Sequence, residues 1–319
     1  MAVSSAAQRF VQAPVYSEGT SPALQVASGD FNGDGNTDLA FVSNTTPPMV
    51  TIRLGTGTGK FDQGQEITLS DSAAGIVAGD WNNDGVIDLA VSTYTLQGIT
   101  NLSTLLGHGD GTFTAAGSFD ASGNAGLMAS ADLNGDGLTD IVVASISDSD
   151  AVAVLMLGLG GGKFAKGTSL NVIGNAPDHP VSVVIADFNR DGILDLAVNG
   201  VCTFDGRSTL AIVLGKGNAT FGVPRDYTTA TNDYNNLIAS DFNGDGLLDL
   251  MNSGNELAVH IGRGDGTFAP PLMIAGVSDY GGFIAAGDWN KDGKARHLTG
   301  AAVCRELCWP AVGQRRWNL

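Results

Sequence analysis

The chain has 319 residues, 43% of them hydrophobic, with 45 glycines and a net charge of −17. That length buries a sizeable core as one large domain or two ordinary ones, and the acidity argues against nucleic acid and against an anionic membrane surface as partners. Three cysteines, Cys202, Cys304 and Cys308, are too few for a disulfide framework. No stretch of 18 apolar residues predicts a membrane span, and the first residues, MAVSSAAQRFVQAPVYSEG, lack the basic start and apolar core of a secretory signal.

Residues 10–16, FVQAPVY, look like the end of a unit whose beginning is absent, a strand that could close a ring by completing the last unit. The first full unit then reads as an apolar strand (ALQVASGDF), an acidic loop (DFNGDGNTDL from Asp30), a strand out of it (DLAFVS), a third strand (MVTIRLG), a glycine-rich turn (TGTGK) and a fourth strand beginning at Phe61. The loop returns as DWNNDGVIDL at Asp80, DLNGDGLTDI at Asp132, DFNRDGILDL at Asp187, DFNGDGLLDL at Asp241 and DWNKDGKARH at Asp288. A period of about 50 residues belongs to stacked supersecondary units. Four strands per unit predict an all-β fold, a β-propeller of four-stranded blades, with about five complete blades and a partial last one.

Each loop sets oxygen donors at positions 1, 3, 5 and 9, with a glycine at position 6 for the sharp turn. These are Asp30, Asn32, Asp34 and Asp38; Asp80, Asn82, Asp84 and Asp88; Asp132, Asn134, Asp136 and Asp140; Asp187, Asn189, Asp191 and Asp195; and Asp241, Asn243, Asp245 and Asp249. Hard divalent cations take six to eight oxygen ligands. A backbone carbonyl at position 7, from Asn36, Val86, Leu138, Ile193 or Leu247, adds one more donor, so calcium is the expected ion. The sixth copy keeps Asp288, Asn290 and Asp292 but carries Arg296 at position 9, where a guanidinium repels a cation, so five good sites and one impaired site are expected. Position 12 is Phe41, Val91, Val143, Val198 or Asn252, never the glutamate of an EF-hand, and strands rather than helices follow. The alternative is that these are plain Asn/Asp/Gly turns without metal. The loops hold about half of the 33 acidic residues, and five divalent ions would bring the charge from −17 to −7.

A second signature recurs after the third strand: LGTGTGKF, LGHGDGTF, LGLGGGKF, LGKGNATF and IGRGDGTF. Both signatures in fixed order over roughly residues 10–294 resemble the FG-GAP or VCBS repeat family, the blade of the integrin α-chain propeller and of many secreted bacterial proteins. The resemblance implies a six- or seven-bladed ring and calcium in the aspartate loops just named. Millimolar calcium is extracellular, so the expectation is a secreted or cell-surface protein whose true start lies upstream or whose export takes another route.

Other candidates read more simply. Arg263-Gly264-Asp265 shares a turn register with His108-Gly109-Asp110, which the turn itself explains. Asn44, Asn101 and Asn218 begin glycosylation sequons, meaningful only in a eukaryotic secretory pathway. His108, His179, His260 and His297 make neither a zinc pattern nor a triad; His260 comes nearest to a residue special to one blade. Trp81 and Trp289 stand where other loops have Phe or Leu, as packing residues or as an exposed stacking platform. From Lys294 the pattern fails, and residues 295–319 read as a shifted frame, a truncation or a cap. No acid or histidine cluster is left over for catalysis. The expected function is therefore a non-enzymatic calcium-binding module for adhesion or for a carbohydrate or protein ligand; the alternatives are an accessory propeller of a secreted hydrolase or lyase, or a purely structural repeat fragment.

Overall fold

The computed structural model describes residues 25–95, 100–121, 123–147, 150–173, 178–202, 208–228, 236–253, 257–274, 284–287 and 296–299. All regular structure in them is β. Blade one is β1 (Gln25–Gly29), β2 (Asp38–Ser43), β3 (Met49–Gly55) and β4 (Phe61–Thr68), antiparallel and paired in chain order. Blade two is β5 (Ser72–Gly79), β6 (Asp88–Tyr94), β7 (Thr100–Gly107) and β8 (Phe113–Asp120); blade three is β9 (Asn124–Ala131), β10 (Asp140–Ser147), β11 (Asp150–Gly160) and β12 (Lys163–Ile173). Strands β1, β5 and β9 touch in succession, which makes the first strand of each blade the innermost.

In blades four and five the outer strand departs from the sequence expectation. Blade four is β13 (Asp178–Ala186), β14 (Asp195–Cys202) and β15 (Ser208–Val213), then β16 (Gly215–Gly217) and β17 (Thr220–Phe221) as a small separate ribbon, and only then β18 (Arg225–Thr228). Blade five is β19 (Leu237–Ser240), β20 (Asp249–Asn252), β21 (Leu257–His260) and β22 (Leu272–Ile274), with Phe268 held by an isolated bridge to Gly262. A continuous fourth strand from Phe221 or Phe268 would run through Pro224 or through Pro270 and Pro271, which have no N–H to give the ladder.

The sixth unit, expected as a partial blade, has two strands among the described residues. Strands β23 (Ile284–Gly287) and β24 (Arg296–Thr299) pair antiparallel with Gly287 opposite Arg296, and β23 contacts β19. That is the register of Gly29 opposite Asp38 and of Gly79 opposite Asp88. The chain after Lys294 thus keeps a second strand, because ladder pairing uses backbone groups and does not need the lost acid. Residues 288–295 and 300–319, and with them Asp288, Trp289, Asn290 and Asp292, lie outside the described residues.

The core lies in the seams between blades. Ala40, Val42, Val50 and Ile52 of blade one meet Ile76, Leu89, Val91 and Leu105 of blade two. Ala90 and Leu102 continue toward Met128, Ile141, Val143 and Met156 of blade three, and Val142 and Leu155 toward Leu196 and Val198 of blade four. Blade four meets blade five through Ala197, Leu210 and Ile212 against Leu237 and Leu250. Alternate residues of one strand therefore serve two different seams. That is why the strands read as continuous apolar runs rather than as an apolar–polar alternation. Each fully buried Leu, Ile or Val contributes about 1.5–3 kcal/mol, so the seams carry most of the stability.

Candidate metal centre

Connections between first and second strands, and between third and fourth, leave an antiparallel blade at the same end. The acidic loops and the glycine turns thus share one face of the propeller. Every loop has the same length, residues 30–37, 80–87, 132–139, 187–194 and 241–248 between paired strands. In the first, Asp30 Oδ1 accepts the N–H groups of Gly33 (2.8 Å) and Asp34 (3.1 Å), and Oδ2 accepts that of Gly35 (2.8 Å). Asn32 Oδ1 accepts from Asp34 N–H at 3.0 Å, and Asn32 Nδ2 donates to Asp34 Oδ2 at 3.1 Å. Asp34 Oδ1 accepts from Asn36 N–H at 2.7 Å. Gly35 has φ of 82°, the left-handed region that glycine enters at least cost.

The same bonds recur in the other four loops. The position-1 residues Asp80, Asp132, Asp187 and Asp241 take the position-6 amide at 2.8–2.9 Å. Asn82, Asn134, Asn189 and Asn243 reach Asp84, Asp136, Asp191 and Asp245 at 2.8–2.9 Å. The position-7 residues Val86, Leu138, Ile193 and Leu247 each donate N–H to the position-5 carboxylate at 2.8 Å. The structure therefore brings positions 1, 3, 5 and 7 together in each of the five.

Position 9 does something that the sequence reading did not contain. Asp38 is fully buried; its Oδ2 accepts from Phe31 N–H (2.8 Å) and its Oδ1 from Gly55 N–H (2.7 Å). Asp88 holds Trp81 and Gly107, Asp140 holds Leu133 and Gly158, Asp195 holds Phe188 and Gly215, and Asp249 holds Phe242 and Gly262. The glycine is the second letter of the recurring LG, and it has no room for a side chain: a Cβ at Gly55 would stand 2.1 Å from Thr37 O, and one at Gly107 2.2 Å from Ile87 O. The signal was in the sequence, since LG, or IG in blade five, follows each position-9 aspartate at or just past the end of the third strand.

Position 2 carries the link between blades. Phe31 O accepts from Gly111 N–H of blade two (2.9 Å), Trp81 O from Gly162 of blade three (3.0 Å), Leu133 O from Ala219 of blade four (2.9 Å) and Phe188 O from Gly266 of blade five (3.2 Å). The side chains follow: Phe31 packs edge-on against Phe113 at 5.5 Å, Trp81 against Phe164 at 5.8 Å and Phe188 against Phe268 at 5.7 Å. Trp81 is thus a packing residue, 4% exposed, and no stacking platform. A belt of hydrogen bonds results, running from Gly55 through Asp38 and Phe31 to the next blade's turn and on around the loop-bearing face.

The electrostatics follow from this placement. Burial, together with Asp84 and Asp80 nearby and against the two backbone N–H groups, raises the Asp88 carboxyl above the usual range. Asp140 and Asp195 are raised for the same causes. Burial pushes Asp249 up to about 6, with Asp245 and Asp241 adding to it. The Asn36 N–H, followed by the Asn32 side chain, holds the exposed Asp34 below its usual range. In the second to fifth loops the carboxylates at positions 1 and 5 thus press on the one at position 9, and no cationic side chain offsets them there. Among the described residues no three carboxylate, imidazole or thiolate side chains converge as a ready-made cage; the third carboxylate of each loop faces backbone, and one donor is an asparagine. A donor set of hard oxygens with uncompensated negative charge fits a hard cation.

Three of the other candidates have their polar groups engaged within the fold. Asp265 of the Arg-Gly-Asp turn accepts both the N–H and the Oγ1–H of Thr267, as Asp110 does with Thr112. Asn44 spends its amide on Ala73 N–H (2.8 Å) and Ala73 O (3.0 Å), across the seam between blades one and two. His108 bonds Thr114 Oγ1 at 2.6 Å.

No curated protein matches the chain by sequence. Among solved structures, an Aleuria aurantia lectin mutant in complex with α-methyl-L-fucoside is similar, with a TM-score of 0.52 at 13% identity over 83% of this chain and 86% of that one. The same lectin mutant in complex with Fucα1-6GlcNAc gives a TM-score of 0.51 at 12% identity over the same shares. These likenesses show the fold, a β-propeller of four-stranded blades. The FG-GAP-like repeat profile matches residues 9–91, 132–198 and 241–295, well over half of the chain. With the aspartate loop and the LG turn now seen as one hydrogen-bonded unit in five successive blades, the chain belongs to the FG-GAP-like repeat family.

Proposed function

We propose that the chain is a non-catalytic, calcium-stabilised propeller that works outside the cell and binds a carbohydrate. The observation that carries the metal half is the loop itself, repeated five times with donors at positions 1, 3 and 5 hydrogen-bonded to one another. Asp30, Asn32 and Asp34 and their counterparts would hold the ion, with the carbonyls of Asn36, Val86, Leu138, Ile193 and Leu247 and the free lone pairs of Asp38, Asp88, Asp140, Asp195 and Asp249 completing the set. When bound, calcium would neutralise the clustered carboxylates and cross-link the turn. Occupancy at a hundredfold above Kd adds about 2.7 kcal/mol per site.

The carbohydrate half is supported by the lectin with which the fold is shared, solved with fucosides. Within this chain the ligand surface is assigned to the face opposite the loops. There the sequence leaves stretches of different length between strands: five residues between second and third strands in blades one and two against two in blade three, and three between blades one and two against eight between blades four and five. The loop-bearing face repeats itself, whereas the opposite face varies, and selectivity needs variation. No helix among the described residues is long and apolar enough to cross a membrane.

The test is thermal unfolding of the chain across a calcium titration, with magnesium as control and chelator as zero, followed by a glycan array probed in calcium and in chelator. A calcium-specific rise in midpoint with selective glycan capture is expected. A midpoint indifferent to calcium removes the metal half, and an array silent in calcium removes the carbohydrate half.

A further inference from the structure

One buried group in the seams has no use in the scheme above. His260 ends β21 and lies opposite Leu250 in the ladder. Cross-strand partners share a face, and Leu250 belongs to the seam where blade five meets Ala197, Leu210 and Ile212 of blade four. The same register is held by Arg53 opposite Leu39, Leu105 opposite Leu89, Met156 opposite Ile141 and Val213 opposite Leu196. Three of the other four blades thus place an apolar side chain where blade five places an imidazole. His260 is 0% exposed, and neither Nδ1 nor Nε2 has a hydrogen-bond partner.

An imidazole so placed has one unsatisfied donor and one unsatisfied acceptor while neutral. When protonated it has two unsatisfied donors and a charge in an apolar seam. No group around it hydrogen-bonds either ring nitrogen. On its own blade Leu250, Ala258 and Asn252 share its face. From blade four come Ala197, Leu210 and Ile212, with Asn199 on the same face because it pairs with Leu210. Phe188 and Phe268 complete the cluster. Tyr227, whose hydroxyl oxygen accepts the Phe268 N–H and whose ring lies under Arg225, is the titratable group packed against this cluster; none of the residues named is a carboxylate that could stabilise an imidazolium. The seam is also the one crossed near its inner end by Leu237 N–H donating to Ser182 Oγ at 3.3 Å, a long bond.

We propose that His260 is an acid-sensitive latch: its protonation opens the seam between blades four and five and releases blade five from the ring, while the seams among blades one to four hold. Burial alone depresses the imidazole to about 4, against an ordinary value of 6.5. The neutral form therefore favours the fold fully above pH 6.5, and that advantage drains away as the pH falls toward 4. Opening the seam lets the ring reach water and take its proton at the ordinary value. Acidification across that window favours the open seam on the order of a hundredfold.

The experiment compares the full chain with His260→Leu and His260→Gln, by urea unfolding and by backbone hydrogen exchange, from pH 4 to pH 8 in calcium and in chelator. The leucine variant is expected to keep its midpoint in acid where the parent loses it. The glutamine variant keeps an unpaired polar group without a proton to gain; it is expected to be weaker at pH 8 yet as flat as leucine below 6.5. Exchange in the parent at pH 5 is expected to speed up at Leu210–Val213 and Leu257–His260 before it does at Leu89–Ser92 or Ile141–Ala144. Parallel pH profiles for parent and both variants would overturn the proposal, as would protection lost evenly in all blades. Since the comparison is made with and without calcium, it stands even where calcium does not bind.

Discussion

Asp140 and Asp136 lie four residues apart in the third loop and answer to different physics. Asp140 is fully buried and holds the N–H groups of Leu133 and Gly158. Asp140→Ala leaves two buried donors unmatched, at about 1–3 kcal/mol each. Its melting point should therefore fall already in chelator, with any loss of calcium ligation added on top in calcium. Asp136 is exposed and faces Asn134 and Leu138 N–H, so Asp136→Ala should cost little in chelator and most of its effect should appear in calcium. Melting curves of both variants in both conditions check the pair; equal losses for Asp136→Ala with and without calcium would reduce the loop to turn chemistry.

The spacing of the sequence made it legible that the side chains at positions 1, 3 and 5 meet in one turn, because oxygens alternating around a glycine fold back on one another. At position 9 it showed the aspartate but not the two amides it holds. A buried carboxylate that brackets two amides from segments far apart in sequence looks, in one dimension, like one more ligand. His260 was visible as a lone histidine, but its placement in a seam became evident only from which strand faces which blade.

At the scale of the element, the hairpin turn depends on the glycine of LG. A Cβ at Gly107 would meet Ile87 O at 2.2 Å, a backbone atom that cannot swing aside. Gly107→Ala must therefore move the turn or the loop, breaking the Asp88 bracket, and should cost on the order of 3 kcal/mol in urea unfolding, the range of a buried network that loses its geometry. Gly85→Ala meets no atom within 4 Å and suffers only its φ of 82°, for a loss of about 1 kcal/mol. A reversed order of the two would mean that the Gly–Asp bracket does not hold the turn. The fifth loop carries a pH prediction of its own. The Asp249 carboxyl loses its proton near 3.8 when unfolded and near 6 in the fold, so without metal it favours the fold below 3.8 and that advantage is gone once the pH has risen through 6. A bound cation needs the carboxylate. Calcium affinity of the fifth loop should drop below about pH 6, seen as the difference between calcium titrations of the parent and of Asp245→Ala at pH 5.5 and 7.5.

For the whole molecule, the repeat period and the two signatures sufficed for the architecture, because each unit is locally complete in pattern. They did not suffice for the edges of the array. The prolines of units four and five were in plain view, yet the regular Phe suggested an unbroken outer strand. The sixth unit kept its hairpin without its acid, since backbone pairing tolerates what metal ligation does not. What the period could not contain is the seam, where two faces from different units meet and where one strand's alternate residues are divided between neighbours.

The belt along the loop-bearing face bears on how such a chain came to have the number of units it has. Each unit offers its neighbour on one side a peptide carbonyl, at position 2, and its neighbour on the other a peptide N–H, at the glycine turn. Both belong to the main chain, so the joint does not ask for any particular side chain there: Phe, Trp and Leu all serve at position 2, and Ala219 does the work of Gly111. A unit copied and inserted between two others arrives with both halves of the joint already made. Gene duplication can lengthen or shorten such an array without inventing a new contact, and the side chains of each copy remain free to diverge on the opposite face.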